Sequence, residues 1–216
     1  MTNNLNAGTA WSLLGLTIRL AQGLGVHHAC PPDTAQEIVF RRSKIWWAII
    51  WQDSLLSITY DRASAAGALE VSTMPTPMHY GSVGAYHTAM YQISRVGLEI
   101  VRDRARPMSA RETINRITEH RDDLVKILKD APEYLRSTRK LTSKKETLEH
   151  WGLYLHSSFY MSELCRPAIS PNADPELAKA FKQTCIDNLI NAVDAFLGLN
   201  KIVRLQPYCS CGAVLT

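Results

Sequence analysis

The sequence predicts an all-α fold, a single irregular helical domain of about six helices. Three observations carry that prediction. Apolar residues recur near the 3.6-residue period in each long segment. Serine or threonine stands three residues ahead of glutamate at three places, the pattern of a capping box. Proline and glycine punctuate the chain between those segments, and no alternating strand pattern competes. With 216 residues the chain is long enough to bury a real core as one domain.

The first helix is expected over about Gly8 to Gly25, with Leu13, Leu14, Ile18, Ala21 and Leu24 at helical spacing. Gly23 and Gly25 suit the left-handed residue that ends many helices. Cys30-Pro-Pro-Asp33 breaks the chain, and Thr34 with Glu37 reads as the capping box of a second helix running to about Tyr60. Arg41, Arg42, Lys44 and Gln52 give that helix a polar face. Apolar residues from Ile45 through the three tryptophans to Leu56 wrap the rest, so it should lie centrally. Asp61 to Tyr80 is irregular. A third helix is expected from about Ser82 to Arg104, stopped by Pro107.

Ser109 and Glu112 open a fourth helix to about Asp130, whose core face holds Ile114, Ile117, Leu124, Ile127 and Leu128. Arg136 to Lys145 reads as an exposed basic linker. Ser143 and Glu146 open a fifth helix, through Trp151, Leu155, Phe159 and Leu164 to Arg166. Asp174-Pro175 starts the last, an N-cap followed by proline at the first helical position. It carries Leu177, Phe181, Cys185, Leu189, Val193 and Phe196, and Gly198 and Pro207 should bound its end. The domain spans residues 8–207, with 208–216 as a tail.

Composition excludes several classes. A hydrophobic fraction of 46% with 20% charged residues is that of a soluble protein, and the N-terminus shows no signal-peptide pattern. The net charge of +4 is too small and dispersed to argue for nucleic acid. Five irregularly spaced cysteines point to free thiols, Cys209 and Cys211 among them. The longest strongly apolar run, Ile45 to Trp51, falls far short of the roughly 20 residues a membrane span needs.

No catalytic motif stands out: no Gly-x-Ser-x-Gly, no glycine-rich phosphate loop, no His-Glu-x-x-His. His27, His28, Cys30 and Asp33 match no zinc spacing and read as a helix-end group, so no metal is expected. Glu119-His120 with Asp122-Asp123 reads as a solvated helix face; His79, Tyr86 and His87 read as core or surface. Trp46, Trp47 and Trp51 admit two readings, core packing or the wall of an effector pocket between helices. Arg19, His27 and Arg62 join them as pocket or core candidates. Arg41, Arg42 and Asp53 are candidates for structural ion pairs, with Arg19 and Arg62 as other cations for Asp53 or Glu37.

Gly15, Ile18, Arg19, Leu20, Ala21, Leu24, Gly25, Val26 and His27, then Arg41, Arg42, Trp46 and Trp47, then Asp53 with Leu56-Ser57, form a further pattern. It resembles the most recognisable block of the middle homology region of fungal zinc-cluster transcription factors, also called the xylanolytic-activator regulatory domain. Glu70 to Pro75, Leu155 to Pro167 and Cys185 to Ala192 resemble later segments of the same region. Two departures stand out: Ser54 where the family usually has Arg, and Asp61-Arg62-Ala63 where it often has Gly-Arg-Pro.

The resemblance implies a non-catalytic regulatory domain, nuclear, that controls activation through a small-molecule effector, a protein partner or a full-length relative. DNA would be reached only indirectly. It implies no cofactor in this chain, zinc belonging to the family's separate six-cysteine module. It also implies further helices on both sides, so that the strip Leu13, Leu16, Leu20 and Leu24 would be left uncovered. Two alternatives stay open. A small-molecule enzyme would need His27, Arg62 and His87 around one closed cavity. A pure interaction module would show a broad exposed apolar face.

Overall fold

Two of the three serine or threonine–glutamate pairs are true capping boxes, and they fix where helices begin. The computed structural model describes residues 7–66 and 84–204. Over these it has seven α-helices and no strand: α1 (Ala7–Gly23), α2 (Gln36–Tyr60), α3 (Ala85–Arg104), α4 (Ala110–Asp130), α5 (Glu133–Arg136), α6 (Lys144–Cys165) and α7 (Pro175–Arg204). Short 3₁₀ turns lie at Thr138–Lys140 and Arg166–Ile169. The fold is all-α and forms one domain. None of the described helices is long and apolar enough to cross a membrane.

At α4 the Glu112 amide donates to Ser109 Oγ (3.3 Å) and the Ser109 amide donates back to Glu112 Oε2 (2.8 Å). Ser143 and Glu146 repeat the arrangement at α6. Each box satisfies amides that the first helical turn would otherwise leave unpaired. Thr34 and Glu37 do not form the third box. The N-cap of α2 is Ala35, with no side-chain cap, because Thr34 is drawn into a turn in which its amide donates to Pro31 (3.0 Å).

Helix ends follow the backbone rules. Gly25 takes φ +65°, its amide donating to Gln22 and that of Val26 to Ala21 (both 2.9 Å), the paired bonds that close a helix on a left-handed residue. At the end of α2 that role falls to Asp61, with φ +51°. This is the position where the resembling family often carries Gly, which takes that conformation without a Cβ penalty.

Helix α3 is the axis of the molecule, buried from Ala89 through Asp103 on most of its surface. One core cluster joins it to the body: Met90, Ile93, Ile100, Ile117, Leu124, Leu153, Tyr160, Phe181 and neighbours. A second joins it to the first two helices through Ile18, Ala21, Trp46, Trp47, Ile50, Tyr91 and Leu98. Helices α2, α3 and α6 meet closely at Gly97. A Cβ there would lie 2.3 Å from the Tyr160 ring and 2.5 Å from Ser54 Oγ, so only glycine fits. Ser54 donates to the Ser94 carbonyl (2.7 Å) and lies 3.1 Å from the Tyr160 hydroxyl. Burial pushes the Tyr160 phenol up to about 12, against the opposing bonds from Ser54 and Ser94. The small residue at position 54 is what this crossing accommodates.

One expectation is corrected. The basic stretch 136–145 is mostly exposed as expected, but it is not a free linker: it contains α5's end and a 3₁₀ turn, and just before it the carbonyl of buried Leu135 meets His150 Nδ1 (2.9 Å). The last helix runs to Arg204, between Gly198 and Pro207 as expected, and Gly198 admits the Trp151 indole, whose atoms would lie 2.8–2.9 Å from a Cβ there. Leu189, Val193 and Phe196 are exposed, while Leu177, Phe181, Cys185 and Ala195 form the buried stripe of α7. Glu70 to Pro75, His79, Cys209 and Cys211, singled out in the sequence, lie outside the described residues.

Candidate functional site

Helical geometry sets Trp47 and Trp51 one turn apart, with Trp46 about 100° round from Trp47. Trp46 and Trp47 are 0% and 1% exposed. The Trp47 ring lies 5.6 Å from Tyr91 on α3, and that of Trp46 lies 5.7 Å from His27 at the foot of α1. Trp51 is half-buried and meets Tyr86, His87 and His156 edge-on, at 5.9–6.3 Å. The indole N–H groups of all three have no partner among the described residues. Burial holds the His156 imidazole below its ordinary range, against the bond to the Gly152 carbonyl (2.7 Å). Burial also lowers His87, with Glu149 opposing and Lys44 and Lys145 adding to the shift.

The remaining sequence candidates spread over the same end of the molecule. The His27 and His28 rings lie 3.7 Å apart, tilted by 40°, and desolvation and the neighbouring imidazole both lower the His27 pKa. Arg42 donates to the Gly25 carbonyl, tying α2 to the end of α1. Arg41 pairs with Glu37 at 2.5 Å on the exposed face. Asp53, 1% exposed, has no arginine partner among the described residues: it accepts from the Ser64 hydroxyl and from the Ala66 amide (3.2 Å). Its role is to hold the turn after α2. The Arg62 guanidinium stands over the Trp11 ring at 5.1 Å. Arg19 and Asp53 share a cleft of about 310 Å³ with Trp11, Gly15, Leu16 and Ala65. His27, Arg62 and His87 are not brought together; each faces different rings.

A larger cleft, about 550 Å³, lies on the body between the end of α3, one face of α4 and the turn after α6. Its polar centre is a network that the sequence reading missed. His120 is 2% exposed, not part of a solvated face. Glu119, Asp122 and Asp123 are exposed as expected, but His120 falls three residues after Ile117 and four before Leu124, on the buried stripe. That register was the available signal; the flanking charges masked it.

His120 Nε2 lies 2.8 Å from Asp103 Oδ2, and Arg116 Nε donates to the same oxygen at 2.6 Å. Desolvation pushes the Asp103 carboxyl up, but the bonds from His120 and Arg116 outweigh it and hold the group below its ordinary range. Arg104 donates to the Glu163 carbonyl and faces Asp61 at 3.3 Å. Ile100, Met108, Ile117, Leu164 and Pro167 supply the apolar lining. The cleft therefore combines apolar walls with fixed cations. Among the described residues, no group of three or more His, Cys, Asp or Glu side chains is placed to hold a metal ion.

Part of the chain is similar to a known regulator. Over 69 residues, 32% of this chain, it is 36% identical to the Lactose regulatory protein LAC9 of Kluyveromyces lactis. The match takes in 8% of that relative's length. No family profile matches the chain, and no solved structure does.

Proposed function

We propose that this chain is a regulatory, non-catalytic helical domain of a fungal transcription regulator, of the middle-homology type. The observation that carries the reading is the 36% identity over 69 residues to a protein named for lactose regulation. The block Gly15 to His27, Arg41-Arg42 and Trp46-Trp47 supports the finer assignment. On this reading the domain acts in the nucleus, holds or releases activation, and responds to a small effector, a protein partner or a full-length relative. It reaches DNA indirectly, and any zinc belongs to a separate DNA-binding module.

A reporter tests this. The chain is placed between a heterologous DNA-binding module and a strong activation segment, and compared with a flexible linker of matched length. The chain should change output by at least about fivefold, the low end of ordinary coupling between sites. The purified chain alone should give no sequence-dependent shift of DNA at physiological salt. Unchanged output, or tight sequence-specific binding by the chain itself, contradicts the reading.

A further inference from the structure

The large cleft carries four arginines, Arg104, Arg106, Arg116 and Arg166, against two aspartates, Asp61 and Asp103. Most of these charges are already engaged. Asp103 is engaged through Oδ2 by His120 and Arg116, and Asp61 faces Arg104. Arg116 also donates to Glu119. Two cations remain open. The Arg106 side chain has no partner among the described residues, and Arg166 makes one 3.3 Å contact with Glu163 while its side chain stays 58% exposed.

Arg106 follows α3 and Arg166 opens the turn after α6, so they reach the cleft from two different elements. The apolar side chains of Met108, Leu164 and Pro167 line the same cleft. Guanidinium groups offer paired N–H donors that match carboxylate and phosphate oxygens. An apolar floor beside such a fork favours a ligand with a hydrocarbon body over a bare ion.

We infer that this cleft is a binding site for a small organic anion, a carboxylate or phosphate monoester on a short apolar body, held by Arg106 and Arg166. The inference deepens the regulatory reading by giving its effector a chemical class, and rests on that reading only for the name effector. Binding is measured without any transcription readout, so the two fail separately.

The test is calorimetry and thermal denaturation of the full chain with hexanoate, hexyl phosphate, inorganic phosphate, hexanol and hexylamine. Hexanoate or hexyl phosphate should bind and raise the melting temperature, as any ligand selective for the folded state does. Hexylamine and hexanol should not, and inorganic phosphate should bind at least about tenfold more weakly, for lack of a buried apolar body. The double variant Arg106→Ala/Arg166→Ala should weaken binding by about tenfold or more, since each removes a charge-assisted bond. Arg41→Ala, remote from the cleft, should bind as the parent does. Lys at both positions should restore part of the affinity, which separates charge from fold. No binding of either amphipathic anion, equal binding of hexylamine, or full affinity in the double variant overturns the inference. So does salt-sensitive binding of DNA that the same double variant abolishes while hexanoate stays unbound, which would make the arginines a phosphate-backbone contact.

Discussion

The two ends of this molecule use their apolar residues in opposite ways. At the α1–α2 end the inner face is among the most buried parts of the chain, with Trp46, Trp47, Ile18 and Ile50 at 0–1% exposure. Its outer face is also apolar: Leu13, Leu16, Leu20 and Leu24 are 52–75% exposed, and Ile38 and Ile45 are 51% and 55%. At the α3–α4–α6 end most apolar residues turn inward, with Val125 the exposed exception on α4, and one face is a cleft ringed by arginines and aspartates. The lesson is that hydrophobicity along a helix does not report burial. α1 is apolar over much of its circumference, yet only Ile18 and Ala21 among its described side chains are buried. Cations held beside apolar walls lie at the other end.

The largest expected effect sits at the first end. Trp47→Ala removes a fully buried indole packed on Tyr91 and should cost about 3–5 kcal/mol, a large part of a domain's stability. Arg106→Ala/Arg166→Ala, at the cleft, should cost far less. Urea denaturation of both variants checks the contrast; equal losses would erase it.

The joint between the two ends comes next. Gly97→Ala drives a Cβ into Tyr160 and Ser54 and should cost about 1–3 kcal/mol by overpacking. The companion Tyr160→Leu should recover part of that loss in a double-mutant cycle, because it removes the clashing ring.

The pH dependence also belongs to the joint, where Trp51 meets His156 and His87. Both imidazoles have folded-state pKa values below the ordinary 6.5, chiefly through burial. Below pH 6.5 the unfolded chain takes up these protons first, so stability is full above that pH and falls as acidity increases. Asp103 adds a second loss at lower pH. Its folded pKa is depressed below 3.8, so its contribution is present above that value and vanishes as pH falls through the folded one. His156→Gln should flatten the slope between pH 7 and 5 in chemical denaturation; an unchanged slope would remove His156 from the account.

Smaller still, Asp61→Gly should stabilise by up to about 1 kcal/mol, since Asp61 holds φ +51° and its ion pair with Arg104 is exposed. A clear loss in thermal denaturation would show that the Asp61–Arg104 contact outweighs the backbone strain. Leu20→Glu should change stability by no more than about 0.5 kcal/mol, because Leu20 is 61% exposed. A loss of several kcal/mol would mean that the leucine face is covered in solution.

Much of the fold was legible because local signals acted alone. Ser109, Ser143 and Asp174 mark their helix starts with bonds inside one turn, which spacing reveals. Thr34 failed because the Pro31 carbonyl, three residues upstream, gave its backbone a competing turn. The site was less legible because it depends on long-range pairing. Asp103 and His120 lie 17 residues apart and meet only when α3 packs on α4. Arg106 and Arg166 are brought to one cleft by a crossing that no local period encodes. Asp53 misled for a related reason: a buried carboxylate needs hydrogen bonds, and backbone and serine donors of the following turn satisfy it as an arginine would.

The central claim is that the folded helical body regulates activation. The reporter in which the chain separates a DNA-binding module from an activation segment tests it most directly when run with Trp47→Ala and Arg41→Ala beside the parent. The account predicts that Trp47→Ala returns output to the level of the matched linker, while Arg41→Ala keeps the parent's effect. A Trp47→Ala chain that is unfolded yet regulates as the parent does would contradict it.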